Sequence, residues 1–141
     1  MNIAIGADHA GFSLKQHLVR VLQAAGHTVT DLGTHSEDAV DYPDFAKLVV
    51  EALAQGTAER GVLACGSGIG MCISANRTAG VRAAVLRSPD DARLSREHND
   101  ANVACFGGRL TGPTTAESLL TVWLQTPFAG GRHERRVHKL G

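Results

Sequence analysis

Val62-Leu63-Ala64-Cys65-Gly66-Ser67-Gly68-Ile69-Gly70-Met71 decides the fold of this 141-residue chain. An apolar run ends in a cysteine and breaks into alternating glycines, after which Met71-Cys72-Ile73-Ser74-Ala75-Asn76 resumes with helical character. The pattern predicts a buried parallel strand, a tight loop and a helix start. Gly66, Gly68 and Gly70 let backbone N–H groups converge on a bound group, and the dipole of the following helix favours negative charge there. Cys65 falls at the end of the strand, where the ligand sites of α/β sheets form. A positive helix end also favours a thiolate. One loop can therefore supply both a base and a pocket for developing negative charge.

Outward from this stretch, strands and helices alternate. Ile3 to Ile5 reads as a short strand. Leu14, Leu18, Val21, Leu22 and Ala25 then form one helical stripe over residues 12–25, which Gly26 ends. His27 to Leu32 is β-rich and closed by Gly33, and Thr34 to Pro43 is a polar loop. Pro43 opens a helix whose Phe45, Leu48, Val49, Ala52 and Leu53 share a face, and Gly56 stops it. Beyond the central loop, Val81 to Leu86 reads as a strand. Ser88-Pro89-Asp90-Asp91 reads as the start of a mixed-charge helix reaching about His98. Val103 to Phe106 is a further strand, Ala116, Leu119, Leu120, Trp123 and Leu124 mark the last large helix, and Gly130-Gly131 precedes a basic tail. Spacing of this kind fits βαβ units. The expected fold is a single three-layer Rossmann-like α/β domain over residues 1–141 with a mostly parallel five-stranded sheet, the basic C-terminal segment 130–141 included.

Composition narrows the function classes. Lys plus Arg and Asp plus Glu number 14 each, so no bulk charge draws the chain to nucleic acid or to a membrane surface. Three cysteines do not make a disulfide framework, and their spacing at Cys65, Cys72 and Cys105 is not that of a zinc site. They read as reduced thiols of a cytoplasmic protein. The N-terminus runs straight into Asn2-Ile3-Ala4-Ile5, which predicts no signal peptide, and no apolar run is long enough to span a bilayer.

The glycine loop is not a nucleotide P-loop, because no Lys-Ser/Thr pair follows it, and the first strand's loop lacks the dinucleotide spacing. Cys72, inside a helix, and Cys105, inside a strand, read as small buried hydrophobes. Cys65 differs in having a helix start directly behind it. Asp8-His9 lies at the end of the first strand, on the same edge as Cys65. It reads either as a turn with an Asp cap or as an acid–imidazole pair able to handle a hydroxyl proton or a phosphate. His98-Asn99-Asp100 precedes a strand and so belongs to the opposite edge, out of reach of Cys65 unless a loop or a second subunit brings it across. Arg132 and Arg136 share a face if their segment is helical, and two guanidinium groups so placed suit a phosphate dianion. A solvated basic tail is the other reading. His17, His27 and His35 read as surface residues.

Several strings taken in order resemble the ribose-5-phosphate isomerase type B family, which also includes allose-phosphate and galactose-6-phosphate isomerase subunits. They are Gly6-Ala7-Asp8-His9-Ala10-Gly11-Phe12, Asp41-Tyr42-Pro43, Cys65-Gly66-Ser67-Gly68-Ile69-Gly70, Ser74-Ala75-Asn76, Ser95 through Val103, Phe106-Gly107-Gly108-Arg109 and Gly130 through Arg136. The resemblance implies aldose–ketose isomerisation of ribose 5-phosphate and ribulose 5-phosphate through a cis-enediolate, without metal or cofactor. It implies Cys65 as base and Gly66, Gly68, Gly70 and Ser67 as holders of the enediolate oxygens. His98 is implied as the residue that opens the furanose ring, with Asp8 as helper. His9, Arg109, Arg132 and Arg136 are implied on the phosphate, and Asp41, Tyr42 and Asn99 on sugar hydroxyls. Some family members use a Glu base where this chain has Met71, which places the chain with the cysteine-base branch. Family members are dimers or tetramers with sites shared between subunits, which would bring His98 to Cys65. Allose 6-phosphate, galactose 6-phosphate or a tetrulose phosphate are the alternative substrates. A non-catalytic subunit would be expected to lack Cys65 and His98, and a flavodoxin-like phosphate-binding module would not explain their pairing.

Overall fold

A computed structural model describes residues 1–141. Five strands, β1 (Asn2–Ala7), β2 (Thr28–Asp31), β3 (Arg60–Cys65), β4 (Ala83–Val85) and β5 (Val103–Gly107), form one sheet in the order β2-β1-β3-β5-β4. Every pairing in it is parallel. The helices are α1 (Phe12–Ala24), α2 (Tyr42–Ala54), α3 (Ile69–Ala75), α4 (Pro89–Glu97), α5 (Pro113–Gln125) and α6 (Arg132–His138).

Parallel strands need crossovers, and here the crossovers cover both faces, so the strands are apolar on both. Ile3, Ile5, Val62, Ala64 and Phe106 pack under Leu14, Leu18 and Leu22 of α1, Ala92 of α4 and Leu120 and Trp123 of α5. The alternate residues Ala4, Leu63, Cys65, Val103 and Cys105 pack under Val49 and Val50 of α2 and Met71 and Ala75 of α3. Period-two alternation in the sheet thus meets a helical stripe on each side, which gives the expected three layers.

Glycines end the first two helices for one shared reason. Gly26 (φ +92°) and Gly56 (φ +75°) take left-handed backbone just past α1 and α2. Their N–H groups return to Gln23 and Leu53, and the next residues' N–H groups return to Leu22 and Ala52. That motif satisfies the last helical carbonyls, and glycine adopts it without strain. Ser88 caps α4 by accepting the Asp91 N–H at 3.1 Å, as its sequence predicts.

Several boundaries and one side chain differ from expectation. β1 runs on through Gly6 and Ala7, weak strand formers held by pairing to Leu63 and Ala64. β4 shortens from Val81–Leu86 to Ala83–Val85, because Val81 closes a turn onto Thr78 and the Arg82 N–H turns to the Asn102 side chain. α3 starts at Ile69 rather than Met71. His17 is no free surface residue: it is half-buried, with its ring 3.1 Å from Glu117.

Candidate active site

The chain order along the sheet reverses between β1 and β3: β2 lies beyond β1 on one side, and β5 and β4 lie beyond β3 on the other. Loops leaving the carboxyl ends of such neighbouring strands part from each other and leave a crevice. A cleft of about 390 Å³ opens there, lined by Asp8, Tyr42, Cys65, Gly66, Ser67, Gly70, Arg109 and Leu110.

Cys65 is the last residue of β3 and is buried. Its Sγ accepts a hydrogen bond from the Gly68 N–H at 3.2 Å. Gly68 can aim that N–H at the sulfur because it takes left-handed backbone (φ +80°), and a Cβ there would sit 2.9 Å from the Phe106 carbonyl carbon. Ser67 Oγ accepts the Ile69 N–H at 3.2 Å. A backbone N–H aimed at the sulfur, with a hydroxyl beside it, favours negative charge at this point.

Neighbouring loops are strapped to the glycine loop. Gly108 N–H donates to Cys65 O at 2.7 Å and Arg109 N–H to Gly66 O at 3.1 Å, so the Arg109 side chain lies over Gly66. On the other side Asp8 N–H donates to Ala64 O at 3.2 Å. Gly11 passes so close to β3 that a Cβ would lie 2.3 Å from the same Ala64 oxygen. Tyr42, the first residue of α2, stands over Gly70, where a Cβ would come within 2.7 Å of its ring.

Asp8 is a turn cap that also stands at the cleft. Its Oδ1 caps the turn, accepting the Ala10 and Gly11 N–H groups at 2.9 and 3.1 Å, while the residue also lines the cleft. His9 Nδ1 accepts the Val40 N–H at 3.2 Å, which leaves Nε2 as its other ring nitrogen for a ligand. Asp41 is exposed at the N-cap of α2, beside Tyr42.

His98, Asn99, Arg132 and Arg136 are gathered elsewhere. His98 caps the C-terminus of α4, and Asn102, at the end of the same turn, accepts the Gly61 N–H at 2.9 Å beside the start of β3. β3 has six residues, so its five residue steps at ~3.3 Å each put about 16 Å between this edge and Cys65. The turn is fastened from inside. Buried Arg96 reaches Asp100 Oδ1 at 2.8 Å and Ala101 O at 2.7 Å, which holds Asp100 in left-handed backbone (φ +48°). The basic tail is the short helix α6, and it docks on this turn: the His133 ring stacks on His98 at 4.2 Å and 15°, and Ala129 N–H donates to Glu97 O at 3.1 Å. Arg132 and Arg136 are exposed on α6. The cations around the docked rings also act on His133, held below the ordinary histidine range first by its partial desolvation, then by His98, Arg132 and Arg136.

Sequence reasoning missed Leu110, which lines the cleft, and Arg96, which fastens the His98 turn. Leu110 carried no motif, and Arg96 lies within the Ser95 through Val103 string but was given no role there; each acquires its place only through tertiary packing. The remaining cysteines are a pair on the α2–α3 side of the sheet: hydrogen bonding from Cys105 lowers Cys72 to about 7, while the same bond and full burial push Cys105 well up. No cluster of three or more His, Cys, Asp or Glu side chains is arranged to hold a metal ion. No helix is long and apolar enough to cross a membrane.

Residues 3–140 match the family model described as Ribose/Galactose Isomerase. Ribose-5-phosphate isomerase B of Escherichia coli is 45% identical over 138 residues, covering 98% of this chain and 93% of that protein. D-erythrulose-4-phosphate isomerase of Pectobacterium atrosepticum is 41% identical over 143 residues, covering 100% and 93%. The crystal structure of a ribose 5-phosphate isomerase from Thermotoga maritima superposes with a TM-score of 0.97 at 50% identity, covering 99% of this chain and 96% of that one.

Proposed function

The chain belongs to the ribose/galactose isomerase family, whose members act as sugar-phosphate isomerases, and we propose that it interconverts ribose 5-phosphate and ribulose 5-phosphate. The observation that carries the reading is Cys65 Sγ at the base of the switch-point cleft, with the Gly68 N–H at 3.2 Å.

In this reading Cys65 as thiolate takes the proton from the carbon next to the aldehyde of the open-chain sugar. The C–H electron pair forms the carbon–carbon double bond of a cis-enediolate, and the former carbonyl oxygen takes the charge. The thiol returns the proton to the former aldehyde carbon. The hydroxyl proton of the neighbouring carbon moves to the other oxygen, and the ketose results. Gly66, Gly68, Gly70 and Ser67 hold the oxygens as charge develops, the kind of stabilisation that acts mainly in the transition state. His98, with Asp8 as helper, opens the furanose ring. Arg109, His9, Arg132 and Arg136 take the phosphate, and Asp41, Tyr42 and Asn99 take the hydroxyls.

A sugar phosphate cannot touch Cys65 and His98 of one chain along the length of β3. We therefore infer a homodimer, alone or within a tetramer, in which each cleft receives His98, Asn99, Arg132 and Arg136 from a second copy. Exposed apolar side chains beside the cleft support this: Leu48 of α2 and Ile69 and Ile73 of α3 are 41%, 46% and 60% exposed. Residues 1–141 then act as one isomerase domain whose basic C-terminal segment 130–141 serves the site, in a cytoplasmic enzyme whose cysteines stay reduced.

The test is turnover by the purified chain, in chelator, on ribose 5-phosphate and on a panel of four- to six-carbon sugar phosphates. Ribose 5-phosphate is expected to give the highest kcat/KM. A higher value for a tetrulose, allose or galactose phosphate would replace the substrate, and no turnover on any would refute the enzyme reading.

A further inference from the structure

We propose that Arg87 is a positioning residue for the Cys65 thiol, acting through the one peptide unit that joins Ser67 to Gly68. The proposal rests on the reading of Cys65 as the base.

Arg87 lies between β4 and the cap of α4. Its Nη2 donates to Ser67 O at 3.4 Å. The N–H of that same peptide unit, on Gly68, donates to Cys65 Sγ at 3.2 Å. A peptide unit is planar and conjugated, so its carbonyl and its N–H cannot be set independently. A cation on the oxygen draws electron density from the nitrogen and strengthens the N–H as a donor, as in any chain of hydrogen bonds. It also resists rotation of the plane, which would carry the N–H away from the sulfur.

The surrounding structure makes this plane a suitable lever. Gly107 lies against its other face, where a Cβ would come within 2.8 Å of the Ser67 carbonyl. Arg87 is itself anchored, its N–H donating to Asp91 Oδ2 at 3.1 Å. The other polar and charged groups around Cys65 have different targets. Asp8 from the end of β1 is occupied with the Ala10 and Gly11 N–H groups, and Arg109 after β5 covers Gly66. Tyr42 from α2 covers Gly70. Cys72 of α3 donates its thiol to Ala83 O at 3.3 Å, and Cys105 of β5 is a buried free thiol. Arg87 alone holds the Ser67 carbonyl, so its removal acts on the sulfur through a single bond. One exposed charged hydrogen bond supports an effect of about 2- to 4-fold.

The experiment is alkylation of the native protein by iodoacetamide across the neutral to alkaline range, with each cysteine followed separately by tandem mass spectrometry. Arg87→Ala is expected to slow Cys65 alkylation at neutral pH by about 2- to 4-fold and to displace its profile to higher pH. Arg87→Lys restores most of the loss, and Cys72 reactivity stays unchanged. Turnover of the sugar phosphate falls in kcat with KM held. A Cys65 profile identical in Arg87→Ala and wild type overturns the proposal, as does an equal change at Cys72, which would mean general loosening of the sheet. Alkylation needs no substrate, so failure of the isomerase reading would show separately, as absent wild-type turnover.

Discussion

Pairing Cys65→Ala with His98→Ala in one dimer tests how the two halves of the site meet. The two side chains belong to opposite edges of the sheet in one chain, about 16 Å apart by the length of β3. A hydrogen bond spans ~3 Å, and no rotamer of either residue closes such a gap. If each cleft takes Cys65 from one subunit and His98 from the other, a heterodimer of the two variants contains one cleft with both residues wild-type and one with neither. Co-expression with two affinity tags isolates that heterodimer. In a twofold assembly with independent sites it should recover about half of the wild-type activity, although each homodimer carries two defective sites. The assay is ribulose 5-phosphate formation at saturating substrate, with subunit composition checked by native mass spectrometry. A verified heterodimer no more active than the homodimers would refute the shared site and with it the roles given to the partner-supplied His98, Asn99, Arg132 and Arg136.

Other consequences follow from individual residues. Gly68→Ala places a Cβ 2.9 Å from the Phe106 backbone at φ +80°, which should cost about 1–3 kcal/mol in urea unfolding and remove most activity; an unchanged unfolding midpoint would contradict the loop geometry. Ile73→Asp puts a charge on a side chain that is 60% exposed in one chain. It should be harmless on a free surface but should shift sedimentation to monomer, with loss of turnover, if α3 lies in the interface as argued. Cys72 titrates at about 7 in the fold against an ordinary 9.0, so between these values the unfolded chain binds more protons than the folded one. Stability therefore rises with pH through that window and the gain is lost as pH falls through 7. The urea midpoint of wild type relative to Cys72→Ser should widen from pH 7 to 9 accordingly, and a constant difference would contradict the lowered Cys72 thiol.

Much of this fold is readable because apolar spacing and glycine punctuation act locally. The run Val62 to Cys65 alternates its side chains between two cores, and the stripe Leu14, Leu18, Leu22 matches the face that α1 buries. What escaped the sequence depends on distant partners. The extension of β1 through Gly6 and Ala7 is held by β3 rather than by propensity. The start of α3 is displaced to Ile69 because Gly68 turns the chain sooner than the apolar pattern resumes.

The site divides in the same way. Cys65, Ser67 and Asp8 are legible because strand ends carry them to one edge, and the sheet order brings them together. The opposite placement of His98 is also legible, from the strand that follows it. Its fastening is not: Arg96 looks like any helical charge until the fold buries it against the Asp100 turn. Likewise the docking of α6 through the His133 ring needs two segments to meet that the sequence keeps far apart.

The most direct test of the central claim is isomerisation in deuterium oxide, comparing wild type with Cys65→Ala. Proton return by the same thiol predicts, in wild type, a ketose whose former aldehyde carbon carries the substrate's own proton, with solvent deuterium only where the thiol exchanges before return. It also predicts a turnover loss of about 10²- to 10⁴-fold in Cys65→Ala, with ribose 5-phosphate binding retained. Undiminished turnover by Cys65→Ala would contradict a thiolate base at the end of β3.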